Sequence, residues 1–356
     1  MPSNSRWNGM KPLLGREYAN ARLFIFAVPI VYFLIVVLKR MNNWLWNRPS
    51  TDTLVRLARH DFAHGDLYRY VYDNGANEAG GRLWLLLAVF VLALVQLGVE
   101  RRNGSQELLF SLPYSRARVF LSKWLLGAMM VTGTLLICTL ADVVVMAVSP
   151  ASDYVRLDYF AAQFGYSWLV VLAGYACALL VGAVTGSVAS QTILTWVLAA
   201  FPIGFFLLLD ASLNVQGIQL PRRTHDGFGN SYTPLLGDRI QDALNFIGYA
   251  SLSYTDIVWW RALAMLVLLG AGLLLATGAY VRNRVENNGK LMLFKGGETV
   301  LRYAVVLCAS MIAGMVGKGL FRLGAGEWLG YDIGFVLGCV LSAFIIRRLL
   351  RMRFKY

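Results

Sequence analysis

"VERRNGSQELLFSLPYSR", Val99–Arg116, is a charged, proline-stopped segment set between two long apolar runs. The runs on either side, Leu83–Val99 and Trp124–Val148, are continuous and of spanning length, since about 20 apolar residues cross a bilayer core as a helix. Inside the segment Gly104 permits a sharp reversal, Ser105 is placed to cap a helix starting at Gln106, and Glu107 puts negative charge in the first turn, where the helix dipole favours it. Leu108, Leu109 and Leu112 then make an apolar face over two turns. Pro113 ends the helix, because the residue before proline avoids helical angles. A helix this short does not hold by itself in water, so it is expected to rest on a membrane surface or on another protein.

The alternation of apolar run and polar connection continues along the whole chain. Hydrophobic residues make up 57% of the 356, charged residues 15%, and the mean hydropathy is +0.55, beyond what the core of a water-soluble domain requires. Runs of spanning length fall at Leu23–Leu38, Leu83–Val99, Trp124–Val148, Tyr159–Val184, Ile193–Leu209, Ile257–Val281, Val300–Gly317 and Trp328–Ile346. They are continuous and do not alternate, which excludes a barrel of membrane strands and predicts an all-α polytopic membrane protein with about eight transmembrane helices.

Sidedness follows from the basic residues. With a cytoplasmic N-terminus, residues 1–22, 100–123, 282–302 and 347–356 carry 19 of the 33 Lys and Arg in 77 residues, and the opposite connections carry 13 in 113. The net charge is then +14 on one face and +1 on the other, as the positive-inside rule asks, and the basic face suits anionic lipid headgroups and not a nucleic acid. Both termini are expected to be cytoplasmic. Leu23–Leu38 has no small-residue cleavage site after it and is expected to remain as the first span. Residues 1–22 read as an interfacial elbow helix ("LLGREYANAR"), 23–281 as a six-span core with external helical loops at 39–82 and 210–256, and 282–356 as a cytoplasmic segment, two further spans and a basic tail.

Few residues offer chemistry. The four cysteines fall inside spans without metal-like spacing. "HDFAH" places His60 and His64 at i and i+4 around Asp61, the spacing of some zinc sites, but with no evident third ligand it reads as an exposed external helix, and no metal is expected. Asp142, in "LADVVVMAV", is the acid most deeply flanked by apolar residues and is the candidate for a transport path, ahead of Gln96, Asp210 and Asp332.

Glu100, Gly104, Glu107, Leu108, Leu109, Pro113, Arg116 and Lys123 together resemble the pattern E…G…E-L-L…P…R…K that follows the second span in membrane subunits of ABC transporters of the type-2 exporter family. The resemblance implies that 105–113 is a coupling helix that docks into a groove on a separate ATP-hydrolysing subunit. Glu100, Gly104, Glu107, Leu108, Leu109, Leu112, Pro113 and Arg116 would form that interface, the leucines as its apolar contact and Glu107 and Arg116 as rim charges. In topology the resemblance covers the N-terminal two-thirds of the chain. "RVENNGKLMLF" is similar to the cytoplasmic segment of a Gram-positive branch with two extra C-terminal spans, although Arg282 and Arg284 depart from that branch's arginine spacing. Glu286, Gly289 and Lys290 thereby become candidates for a second cytoplasmic contact.

The implied partners are ABC ATPase subunits, a second permease subunit, identical or related, and membrane lipids. ATP and Mg would sit on the ATPase and no cofactor on this chain, which agrees with the lack of a phosphate loop: "GMVGKGL" has neither the spacing nor the Ser/Thr. The expected function is the permease subunit of an ATP-driven exporter in a bacterial plasma membrane, without enzymatic activity of its own. The competing readings are a membrane-embedded enzyme using His60, Asp61 and His64, and a membrane sensor or scaffold.

Overall fold

The computed structural model describes residues 10–46, 75–149, 152, 157–218, 246–251, 259–283, 289–320 and 327–351. Among them every named element is helical, and one isolated antiparallel bridge, Thr185 to Met292, is the extended pairing. We number the helices α1 (Lys11–Trp46), α2 (Glu78–Arg102), α3 (Ser105–Ser111), α4 (Arg116–Val148), α5 (Leu157–Val184), α6 (Val188–Val215), α7 (Phe246–Ser251), α8 (Trp259–Val281), α9 (Lys295–Leu320) and α10 (Glu327–Arg351). Eight of these, all but α3 and α7, are long and apolar enough to cross a membrane, so the protein is an all-α polytopic membrane protein.

The expected runs sit inside the observed helices, but the helices reach further. The first is the largest difference: it proceeds from Met10 to Ile35 without interruption, so the stretch read as a separate elbow is the opening turns of the spanning helix. At the other end it runs on through Arg40 to Trp46. The reason is physical: Glu17 and Arg40 end the apolar run in sequence but are buried and paired in the fold, so the helix has no cause to stop at them. Arg40, Glu78 and Arg82 therefore leave the polar connection 39–82 to which their charge assigns them and enter the helix bundle. "HDFAH" lies outside the described residues. Of the short helix expected in "GDRIQDALNFIGYA", the described part is α7, whose Ala250 carbonyl accepts from Arg82 Nε at 2.8 Å and whose Tyr249 carbonyl accepts from Tyr166 at 3.2 Å.

The helices fall into two compact units. One comprises Met1–Ala183 and Phe246–Arg282, and so contains α1 to α5, α7 and α8; the other comprises Val184–Asn245 and Asn283–Tyr356, with α6, α9 and α10. In the first unit α5 is the central helix, with Val170, Val171, Ala173, Tyr175 and Leu179 all inaccessible. It is held close to α4 at Gly127, where a Cβ would meet the Tyr175 ring at 2.4 Å. In the second unit α9 and α10 make a hairpin of very close approach. A Cβ on Gly317 would fall 2.2 Å from the Gly330 carbonyl, and one on Gly334 2.4 Å from that of Ala313, which is how small residues let membrane helices pack backbone to backbone. Asp332 of that hairpin accepts from Gln216 Nε2, just past α6, at 2.8 Å.

Candidate functional site

The short helix forms where the sequence places it, with one change in how its ends are held. Gly104 takes a left-handed φ of 67°, and α3 stops at Ser111 with Leu112 extended ahead of Pro113. Ser105 does not cap the helix with its side chain. Its hydroxyl donates to the Glu100 carbonyl at 3.2 Å and so ties α3 back to the end of α2, since the left-handed glycine already turns the chain and leaves Ser105 inside the first turn. Arg101 Nε donates to Gln106 Oε1 at 3.2 Å across the same corner.

The leucine face divides in two. Leu109 is buried in the core of the first unit at 1% exposure, whereas Leu108 is 66% and Leu112 39% exposed. One face of α3 is thus seated on its own bundle and the other is presented outward with Glu107, Gly104 and Pro113, which are also exposed. Two more of the sequence-derived interface residues are engaged by their own bundle. Arg116 lies over the Phe110 ring, 4.3 Å from its centre, and donates to the Val281 carbonyl at 3.2 Å, so it fastens α3 and α4 to the end of α8. Phe110 meets Tyr280 of α8 edge to face at 5.7 Å. Glu100, expected at the interface, is buried.

Glu100 is buried because Lys123 needs it. Lys123 is fully inaccessible, and its ammonium donates to Glu17 at 2.7 Å and to Glu100 at 2.6 Å, with Arg16 a further 3.9 Å from Glu100. One base therefore joins α1, α2 and α4 at the level of α3. The Lys123 carbonyl in turn accepts from Gln96 Nε2 at 3.1 Å and Tyr175 at 2.9 Å, which adds α5. Residues 94–99, immediately before Glu100, wind as a wider helical turn, a local irregularity that often accompanies functional positions. An ion pair that loses one partner in such a place leaves an uncompensated buried charge, a cost of about 3–5 kcal/mol.

A second cluster of the same composition, one base between two acids, holds the other ends of the same three helices. Arg40 of α1 pairs with Asp142 of α4 at 2.6 Å and with Glu78 of α2 at 3.1 Å. The Tyr159 hydroxyl of α5 donates to Glu78, and Arg82 Nη1 donates to Gln163 Oε1 at 2.8 Å. From Lys123 to Asp142 along α4 is about 28 Å at 1.5 Å per residue, close to the thickness of a bilayer core of about 30 Å. Asp142, the acid singled out in the sequence, is thus one member of an ion-paired ring, and it also lines a cavity of about 30 Å³. Its partners were not evident from sequence because they are distant in the chain. The readable signal was an acid or base at each end of three consecutive spans, at matching depth: Glu17 and Arg40, Glu78 and Glu100, Lys123 and Asp142.

Of the second contact, Glu286 lies outside the described residues. Gly289, with φ 89°, and Lys290 pair through their backbones with the turn between α5 and α6: Gly289 N–H donates to the Gly186 carbonyl at 2.8 Å, and Gly186 N–H to the Lys290 carbonyl at 3.1 Å. Leu293 N–H extends the pairing to Val184 at 2.8 Å. Among the described residues no group of three or more His, Cys, Asp and Glu could hold a metal ion.

Comparison with known proteins gives this arrangement a context. Residues 70–223, which include α2 through α6, match the family described as ABC-2 family transporter protein. The chain is similar to the probable ABC transporter permease YtrD of Bacillus subtilis (strain 168), 25% identical over 268 residues that cover 74% of this chain and 77% of that one. It is also similar to the probable ABC transporter permease YtrC of the same organism, 29% identical over 123 residues, or 32% of this chain and 36% of that one.

Proposed function

We propose, for a chain that is a multi-pass membrane permease of the ABC-2 type, that it is the membrane subunit of an ATP-driven exporter and receives force through α3. The observation that carries this reading is the division of α3 into a buried and a presented face: Leu109 anchors it while Leu108 and Leu112 point away. A seven-residue helix with exposed leucines is not a stable object facing water, and it suits an apolar groove on a partner. Its attachments make it a lever. Movement of α3 would pass through Arg116 and Phe110 to α8, and through Glu100 and Lys123 to α1 and α4, which is the kind of rigid linkage that alternating access by helix rocking requires.

The partner in this reading is an ABC ATPase subunit, which carries ATP and Mg and performs the hydrolysis, so that this chain is not itself an enzyme. A second permease subunit, of the same or a related sequence, would complete the pathway. The basic excess of residues 1–22, 100–123, 282–302 and 347–356 supports a cytoplasmic position for α3 and both termini in a bacterial plasma membrane, against anionic lipid. The test is co-purification of the detergent-solubilised chain, produced from its own operon. Wild type is expected to bring down an ATPase, and Leu108→Asp combined with Leu112→Asp to release it. Recovery of the same ATPase with the double variant as with wild type, or of none with wild type, would remove the reading.

A further inference from the structure

The cavity beside the Arg40 ring has an unanswered donor in its wall. Gln163 is about nine-tenths buried, and its Oε1 accepts from Arg82 Nη1 at 2.8 Å, which fixes which end of the amide is which. The Nε2 end is therefore the one left over; it is inaccessible and has no acceptor among the described residues. The space is about 30 Å³, and its lining includes the Glu78 and Asp142 carboxylates and the side chains of Tyr159, Gln163, Ser167 and Cys138.

We propose that this cavity is a built water site, in which about two ordered water molecules accept from Gln163 Nε2 and donate to the Asp142 and Glu78 carboxylates, within the ring that joins α1, α2, α4 and α5. Three considerations favour water over the other occupants. The volume admits one or two molecules of that size and nothing as large as a lipid headgroup or a drug-sized solute. The wall carries two carboxylates and an amide among apolar Val36, Leu135, Phe160 and Phe164, whereas cavities that stay empty are apolar throughout. A metal cation would compete for carboxylates already paired with Arg40, which contacts Glu78 and Asp142, and it would leave the amide donor still unanswered. Water both accepts and donates, so it alone satisfies Gln163 and the carboxylates together. A hydrated ring can also exchange partners, because a carboxylate released by Arg40 keeps a hydrogen-bond donor beside it.

Two cysteines provide an internal control. Cys138 lies one helical turn before Asp142 on the cavity wall, while Cys177 of α5 packs against the apolar core away from it. X-ray hydroxyl-radical footprinting of the full chain in lipid nanodiscs marks side chains beside ordered water, whether or not they reach bulk solvent. Cys138 is expected to be oxidised several-fold faster than Cys177. Ser167→Leu, which fills the cavity from its wall, is expected to bring the Cys138 rate down to that of Cys177. A wild-type Cys138 rate no higher than that of Cys177 overturns the proposal, and so does a folded Ser167→Leu protein with the Cys138 rate unchanged. The wild-type comparison needs no variant and decides the matter even if Ser167→Leu fails to fold.

Discussion

The two ends of α1, α2 and α4 are each closed by one buried base held between two acids, yet the clusters are built differently. At the end that carries α3 the base is a lysine, fully inaccessible and gripping Glu17 and Glu100 directly, and its own backbone carbonyl is engaged by Gln96 and Tyr175. At the far end the base is an arginine that spreads between Glu78 and Asp142, and the ring borders a polar cavity. A compact ammonium held on two short contacts makes a rigid joint; a planar guanidinium beside a space that admits water makes one that can re-pair. Under the proposed function, rigidity is what α3 needs beneath it if it is to receive force.

Substitutions should separate the two ends by size of effect. Lys123→Met leaves Glu17 without its base and Glu100 with only the more distant, partly exposed Arg16, and is expected to destabilise the subunit by about 3–5 kcal/mol, seen as a lower thermal midpoint of the monodisperse species in detergent. Adding Glu17→Gln and Glu100→Gln should return much of that loss, because neutral amides remove the stranded charge. If Lys123→Met melts like wild type, the joint is not structural. Leu109→Ala comes next, at about 2–4 kcal/mol for truncating a buried leucine, measured the same way. Arg40→Met is expected to cost about 1–3 kcal/mol, less than Lys123→Met, because the stranded Glu78 and Asp142 lie beside the cavity. A larger loss at Arg40 than at Lys123 would invert the comparison. Leu108→Ala should change the isolated subunit's stability by no more than about 0.5 kcal/mol, since that side chain is exposed.

Much of this architecture could be read from the chain. The eight spans followed from continuous apolar runs, and the short helix from Gly104 and Pro113, because hydropathy and backbone restriction act locally. What depended on distant partners could not be read. Glu17 looked like part of the elbow segment and Arg40 like part of the external connection, since nothing near them in sequence shows that Lys123, Glu78 and Asp142 would meet them inside the bundle. The leucine pattern of α3 gave one apolar face, but the bundle occupies only the side on which Leu109 lies. Arg116 looked like a surface charge and became a clamp on α8, because the Val281 carbonyl is brought to it by a helix that begins over 140 residues later, while Phe110 of α3 lies under its guanidinium. Ser105 had the composition of a cap and was displaced from that role by a left-handed glycine one residue earlier.

The central claim is that α3 is fixed to the bundle on one face and driven from the other. ATP-dependent transport by the complete complex in vesicles tests it most directly, comparing wild type with the paired Leu108→Asp and Leu112→Asp chain. Transport is expected to be lost while the variant subunit alone keeps the wild-type thermal midpoint. Transport at the wild-type rate from the variant complex would contradict it.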